Sequence, residues 1–254
     1  MIDDDLITLL GAETKDDVDE IRHTRCSKLT VTGLRQEAFD YLIEEYGNQF
    51  LEIDFFKCPL VSDLKKLEQL ANIKSLSYYW NQRANKLWDL SKNKNLQRIS
   101  IDDFTKIKKL EELTTSTSIQ EINFGNKVRS TFILDSLEPL TRVENLKILS
   151  FSAKKILDSS IASLANIPNL EELNFPTNLF TTEQVAWLTA KIGDSVKSKV
   201  LAPVLKHSNY IFVIGKRKPT LDPIKDEKRI QKYSEKFYKL VEFYKLNPHK
   251  PEPK

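Results

Sequence analysis

The chain has 254 residues, 40% of them hydrophobic and 30% charged, an ordinary globular composition sufficient for one large domain or two small ones. Its apolar runs are short and lie among charges, so no membrane span is expected, and with only 6 Gly and no G-x-G-x-x-G or G-x-x-x-x-G-K-[ST] it has little material for a phosphate-cradling nucleotide loop. The net charge of +3 conceals an asymmetry, because residues 195–254 carry 15 Lys/Arg against 6 Asp/Glu and so form a basic section on an acidic body.

In chain order, the opening "MIDDDLITLLGAETKDDVDEI" reads as one or two short helices, an N-terminal helical cap over residues 1–25. Its acidic start does not resemble a secretory signal. Two cysteines, Cys26 and Cys58, form neither a disulfide framework nor a metal-ligand spacing, and a reducing cytoplasm is the expected compartment. "GLRQEAFDYLIEEYG" predicts a regular helix stopped by Gly47.

From residue 26 the pattern apolar-x-x-apolar-x-apolar recurs: Cys26-Leu29-Val31, Phe50-Ile53-Phe55, Ile73-Leu76-Tyr78, Leu96-Ile99-Ile101, Ile119-Ile122-Phe124, Leu146-Leu149-Phe151 and Leu170-Leu173-Phe175. The starts, at 26, 50, 73, 96, 119, 146 and 170, are separated by 24, 23, 23, 23, 27 and 24 residues. A second register precedes five of them, with Leu64/Leu67, Leu87/Leu90, Leu110/Leu113, Leu137/Leu140 and Ile161/Leu164 at helix-like spacing. Each unit is thus a turn of helix plus a short strand, neither of which buries its apolar side alone, and stacking joins them into one core.

Beyond residue 180, "EQVAWLTAKIG" predicts a helix ending at Gly193, "NYIFVIG" a last strand, and "PIKDEKRIQKYSEKFYKLVEFYKL" a long amphipathic helix with Ile230, Tyr233, Phe237, Leu240, Val241 and Tyr244 on one side. These make a C-terminal cap over 181–246, and 247–254, "NPHKPEPK", reads as a disordered tail.

The repeated unit resembles that of the leucine-rich repeat proteins, L-x-x-L-x-L-x-x-N/C-x-L, over about residues 26–180. "FLEIDFFKCPL" matches throughout, with Cys58 in the Asn/Cys slot, and Asn81 and Asn178 fill it in two other units. Leu34, Phe104, Lys127 and Lys154 stand there in the rest, so the side-chain ladder of that slot is expected to be interrupted and the coil flattened near Lys127 and Lys154. The resemblance implies a bacterial-type α/β solenoid: a curved right-handed coil with a parallel sheet on its concave face and short helices or 3-10 turns on the convex face. It also implies a module that binds other macromolecules on the concave face, possible roles being toxin neutralisation (immunity) or scaffolding.

Alternation along each strand directs the third, fifth, seventh and eighth positions outward. Phe56, Tyr79 and Trp80 are then expected to form an exposed aromatic cluster, with Asp54, Arg98, Asp102 and Asp103 beside it, which is the composition of a partner-binding hot spot. Asp102 and Asp103 read as a solvated charge pair rather than an acid/base or metal pair, since adjacent side chains on a strand diverge and no His falls nearby. His23, His207 and His249 share no site, and the cysteines read as buried structural thiols. No catalytic residues, metal or cofactor are expected. An alternative surface for nucleic acid or another acidic partner is a basic patch of Lys216, Arg217, Lys218, Lys225, Lys228 and Arg229, although acidic residues are interleaved in that segment.

Overall fold

The computed structural model describes residues 5–126 and 132–254. Lys127, one of the expected interruptions of the slot, lies outside them.

The first element of the described residues is a strand, β1 (Leu6–Leu9), where helix was expected. A four-residue helix α1 (Lys15–Val18) follows, opened by a Thr14–Asp17 capping box. Next come β2 (Lys28–Val31), α2 (Gln36–Tyr41), β3 (Glu52–Phe56), β4 (Ser75–Asn81), β5 (Arg98–Phe104) and β6 (Glu121–Gly125). Two-residue β7 (Ile133–Leu134), β8 (Ile148–Ser152), two-residue β9 (Lys155–Ile156), α3 (Ala162–Ala165) and β10 (Glu172–Asn174) complete the repeats. Among the described residues β1, β2, β3, β4, β5, β6, β8 and β10 form one parallel sheet in that spatial order.

The register of the sheet is the register of the sequence repeat. Lys28, Glu52, Ser75, Arg98, Glu121, Ile148 and Glu172, the third residue of each unit, are successive partners across the strands. The same register pairs Leu6 with Lys28, so β1 belongs to one further unit. Its first position is Asp4 rather than an apolar residue, which hid it from the pattern.

Behind the sheet, each return path is a short 3-10 or α-helical turn, and the second-register leucines all point inward and are buried. Sixth-position rings pack from unit to unit, Phe55 tilted against Tyr78 at 5.1 Å and Phe124 stacked on Phe151 at 5.2 Å between centroids. The segment read as one helix ending at Gly47 divides instead into α2, a π turn over Leu42–Tyr46 and a 3-10 turn. Gly47 is right-handed there, and its missing side chain is explained by contact, because a Cβ would stand 2.5 Å from Leu70 Cδ2.

The Asn/Cys slot behaves differently from unit to unit. Asn81 is fully buried and satisfies the turn around it: its amide donates to Val61 O at 2.8 Å, and its Oδ1 accepts from Arg83 N and Ala84 N at 2.9 and 2.8 Å. Cys58 is buried with its thiol 3.6 Å from Val31 O, and burial pushes its pKa up to about 12, which keeps it protonated. Cys26, by contrast, is only half-buried. Asn178 is exposed and serves no such ladder. Where Lys154 takes the slot, backbone replaces side chain: β7 pairs with β9, and Lys154 N donates to Phe132 O at 2.8 Å.

A second asparagine ladder lies one residue before the first apolar position. Asn72, Asn95, Asn145 and Asn169 each donate to a main-chain carbonyl of the preceding unit, those of Asn48, Ala71, Thr117 and Glu144, at 2.7–2.8 Å. The repeated "N-I/L" at unit starts carries this signal.

Beyond the repeats, α4 (Thr182–Ile192) follows a Thr181–Gln184 capping box and ends at Gly193. Its terminal unit is closed by a single parallel bridge, Glu172 to Lys197. "NYIFVIG" does not join the large sheet. It supplies β12 (Tyr210–Val213) of a separate antiparallel sheet with β11 (Val204–His207) and β13 (Thr220–Leu221). Helix α5 (Glu227–Leu246) packs on α4 and buries Phe237, Val241 and Tyr244, so it covers the end of the coil. The tail, expected to be disordered, lies down on this cap: Glu252 accepts from Ser160 Oγ, Ile161 N, Ala162 N and Gln184 Nε2 at 2.7, 2.8, 3.0 and 2.8 Å.

Candidate functional site

The concave face is built from three rows running across the strands. The third positions form a charged row, in which Arg98 reaches over Ser75 to Glu52 at 3.4 Å. The fifth positions, Thr30, Asp54, Ser77, Ser100, Asn123, Ser150 and Asn174, form a floor of small polar groups. Above them stand the seventh-position residues, with Phe56, Tyr79 and Asp102 on adjacent strands.

Phe56 and Tyr79 stack, with centroids 5.1 Å apart and planes 15° apart, and the Lys57 ammonium lies 5.1 Å from the Phe56 ring. Tyr78 points the other way, donating from its hydroxyl to Cys58 O at 2.7 Å in the core. Trp80 is 37% exposed, as is Phe56. Strict alternation would put either Tyr79 or Trp80 inside. Both stay outside because Trp80 is left-handed, at φ 67°, and the ladder passes over it to pair Asn81 with Phe104.

The charged residues expected beside these rings are placed less uniformly. Asp54 lies on the floor two residues before Phe56, half-buried. Desolvation raises its pKa, only partly opposed by a hydrogen bond to Ser77, and among the described residues no cation pairs with it. Asp102 and Asp103 are not a solvated pair, being only 5% and 8% exposed. Ser100 Oγ and Asn123 Nδ2 bond one Asp102 carboxylate oxygen at 2.9 and 3.1 Å and draw it onto the floor, while its strand partner Gly125 has no side chain to crowd it. Arg98 stands at the far end of β5, four residues before Asp102 and so about 13 Å from the aromatic row. It belongs to the Glu52 pair and not to the aromatic cluster.

The basic section does not form one patch either. Lys218 lies 5.7 Å over the Tyr233 ring and Arg229 pairs with Asp226 at 2.7 Å. Lys225 and Lys228 stand exposed near the start of α5, whereas Lys216 and Arg217 turn towards β9. The three histidines are exposed on separate segments, and among the described residues no cluster of His, Cys, Asp or Glu is arranged to hold a metal. Among those residues, too, no helix is long and apolar enough to cross a membrane.

An in-register parallel sheet of units about 23 residues long, with Asn81 bonding the turn behind it, decides the architecture. The fold is a leucine-rich repeat solenoid. No protein-family model matches the chain, and no curated protein does. Among solved structures, the solenoid is similar to an internalin of Listeria monocytogenes, 18% identical over 73% of this chain and 49% of the other, with a TM-score of 0.44. Internalin C2 of the same species is 20% identical over 65% and 77%, with a TM-score of 0.35. A leucine-rich repeat protein of Leptospira interrogans is 14% identical over 76% and 70%, with a TM-score of 0.30. The chain spans about half the length of the first of these, 49%.

Proposed function

We propose that the protein is a non-enzymatic binding module that recognises a protein partner on its concave face, with Phe56, Tyr79 and Trp80 as anchors. The observation that carries this reading is the stacked Phe56–Tyr79 pair, with exposed Trp80 next to it, on a rigid sheet beside the half-buried carboxylate of Asp54. Rigid aromatics lose little side-chain entropy on binding and dominate interface energetics. Asp54 sets the charge of the partner: a desolvated carboxylate without a counter-ion favours a Lys or Arg side chain that supplies one. The small polar floor around it leaves room for such a chain to lie down.

In a bacterial cytoplasm such a module serves to neutralise a toxin or to assemble a scaffold, and the identity of the captured partner separates the two. The test is a pull-down from the native organism with the wild-type protein and Trp80→Ala in parallel. The specific partner is expected to be lost or weakened by about 2 kcal/mol, the hot-spot scale. Equal recovery with both baits would remove the concave aromatic site.

A further inference from the structure

A cleft of about 370 Å³ opens at the C-terminal end of the repeats, away from the aromatic row, and four cations line it: Lys154 and Lys155 from β9 and its approach, and Lys216 and Arg217 from the turn after β12. Ser159 and Asn178 add a hydroxyl and an amide, and the buried side chains of Ile156, Leu179 and Phe180 form the wall behind them. The lining contains no acidic residue. Among the described residues none of the four cations takes part in an ion pair of its own. The nearby Glu252 carboxylate is committed to Ser160, the α3 amides and Gln184. Ser159 and Arg217 on the cleft are both left-handed at φ 56°, a strained backbone of the kind that gathers at ligand sites.

The four exposed like charges come from two segments some 60 residues apart, and an anion between them relieves their mutual repulsion, which solvent screens but does not abolish. The volume sits at the low end of the roughly 300–1,000 Å³ range of small-ligand sites, so it suits a compact group better than a duplex. A guanidinium fork with three ammonium groups matches a dianion with several acceptor oxygens better than it matches one carboxylate. We propose that this cleft binds a phosphate monoester, independently of the concave-face partner.

The experiment titrates inorganic phosphate into the full chain in phosphate-free buffer, following amide chemical shifts and thermal stability, with chloride at matched ionic strength as reference. Saturable shifts at Lys155, Ser159, Asn178 and Arg217, with a rise in Tm beyond that from chloride, are expected. Arg217→Ala and Lys155→Ala should each weaken binding about tenfold, the loss of one charge-assisted contact, whereas Lys225→Ala should leave it unchanged. A phosphoserine peptide and a nucleoside monophosphate, run as further arms, assign the source of the phosphate by which binds more tightly. A response equal to that of chloride, or one that survives Arg217→Ala and Lys155→Ala, would overturn the site.

Discussion

Trp80 repeats, one unit later, the left-handed backbone of Lys57, with φ 67° against 56°. Asp103 at 56° and Gly33 at 83° extend the row on either side, so the strands of four successive units turn away at the same eighth position, and glycine stands at only one of the four. A left-handed residue with a Cβ costs about 1–2 kcal/mol, and glycine gives back about 0.5–1 kcal/mol through its freer unfolded chain. Trp80→Gly should therefore be about 0.5–1 kcal/mol more stable than Trp80→Ala in urea denaturation, while both lose the partner. A Trp80→Gly protein less stable than Trp80→Ala would show that the turn carries no such strain.

The raised pKa of Asp54 gives a pH dependence with a definite sign. Burial disfavours its charged form in the fold, so the folded protein holds this proton to higher pH than the unfolded chain does. Its contribution to stability is fully present below the unfolded pKa and is lost as pH rises through the folded pKa. Asp54→Asn should then be more stable than wild type at neutral pH, by at most about 1 kcal/mol given the half-exposed position, with the gain vanishing below the carboxylate range. Thermal melts of both proteins across that range check it, and a gain that does not depend on pH would place its origin elsewhere. Partner affinity should fall in the same variant.

Asn81 and Asn178 occupy equivalent repeat positions with opposite surroundings. Asn81→Ala strands Val61 O and the amides of Arg83 and Ala84 in the core and should cost about 2–4 kcal/mol. Asn178→Ala, at an exposed position, should stay within about 0.5 kcal/mol. Denaturant midpoints decide between this contrast and equal contributions from both asparagines.

The same pair shows how far the sequence can be read. Apolar spacing reports which side of a strand faces the core, and the cross-strand register of Lys28, Glu52, Ser75 and Arg98 follows from it without adjustment. Spacing does not report depth or local backbone. Asp102 is on the outward side yet buried, because Ser100 of its own strand and Asn123 of the neighbouring strand hold it down, and the second of these bonds is not visible in local spacing. β1 is hidden from the pattern because Asp4 breaks it at the first position, and apolar spacing does not separate the row of Arg98 from that of the aromatics, which lies about 13 Å away along the strands. The asparagines before four of the seven unit starts are legible in the sequence but carry polar bonds, which a search for apolar residues passes over.

The tail was the least legible segment, since "NPHKPEPK" has no apolar periodicity and is held by polar contacts and by the Lys250 ammonium 5.4 Å from the Phe243 ring centroid. Glu252 takes four donors at the start of α3 and from α4, Trp187 Nε1 donates to Lys250 O at 3.1 Å, and the Lys191 ammonium donates to Pro248 O. A carboxylate bonding two main-chain amides at a helix start has both charge-assisted hydrogen bonds and the helix dipole in its favour. Glu252→Gln should cost about 1–2 kcal/mol, a fall of roughly 2–8 °C in Tm, and removal of residues 248–254 at least as much. Hydrogen exchange locates the effect: the Ile161 and Ala162 amides should lose protection in both variants while the β3 and β4 amides keep theirs. Unchanged exchange at Ile161 and Ala162 would mean that the tail does not close the cap in solution.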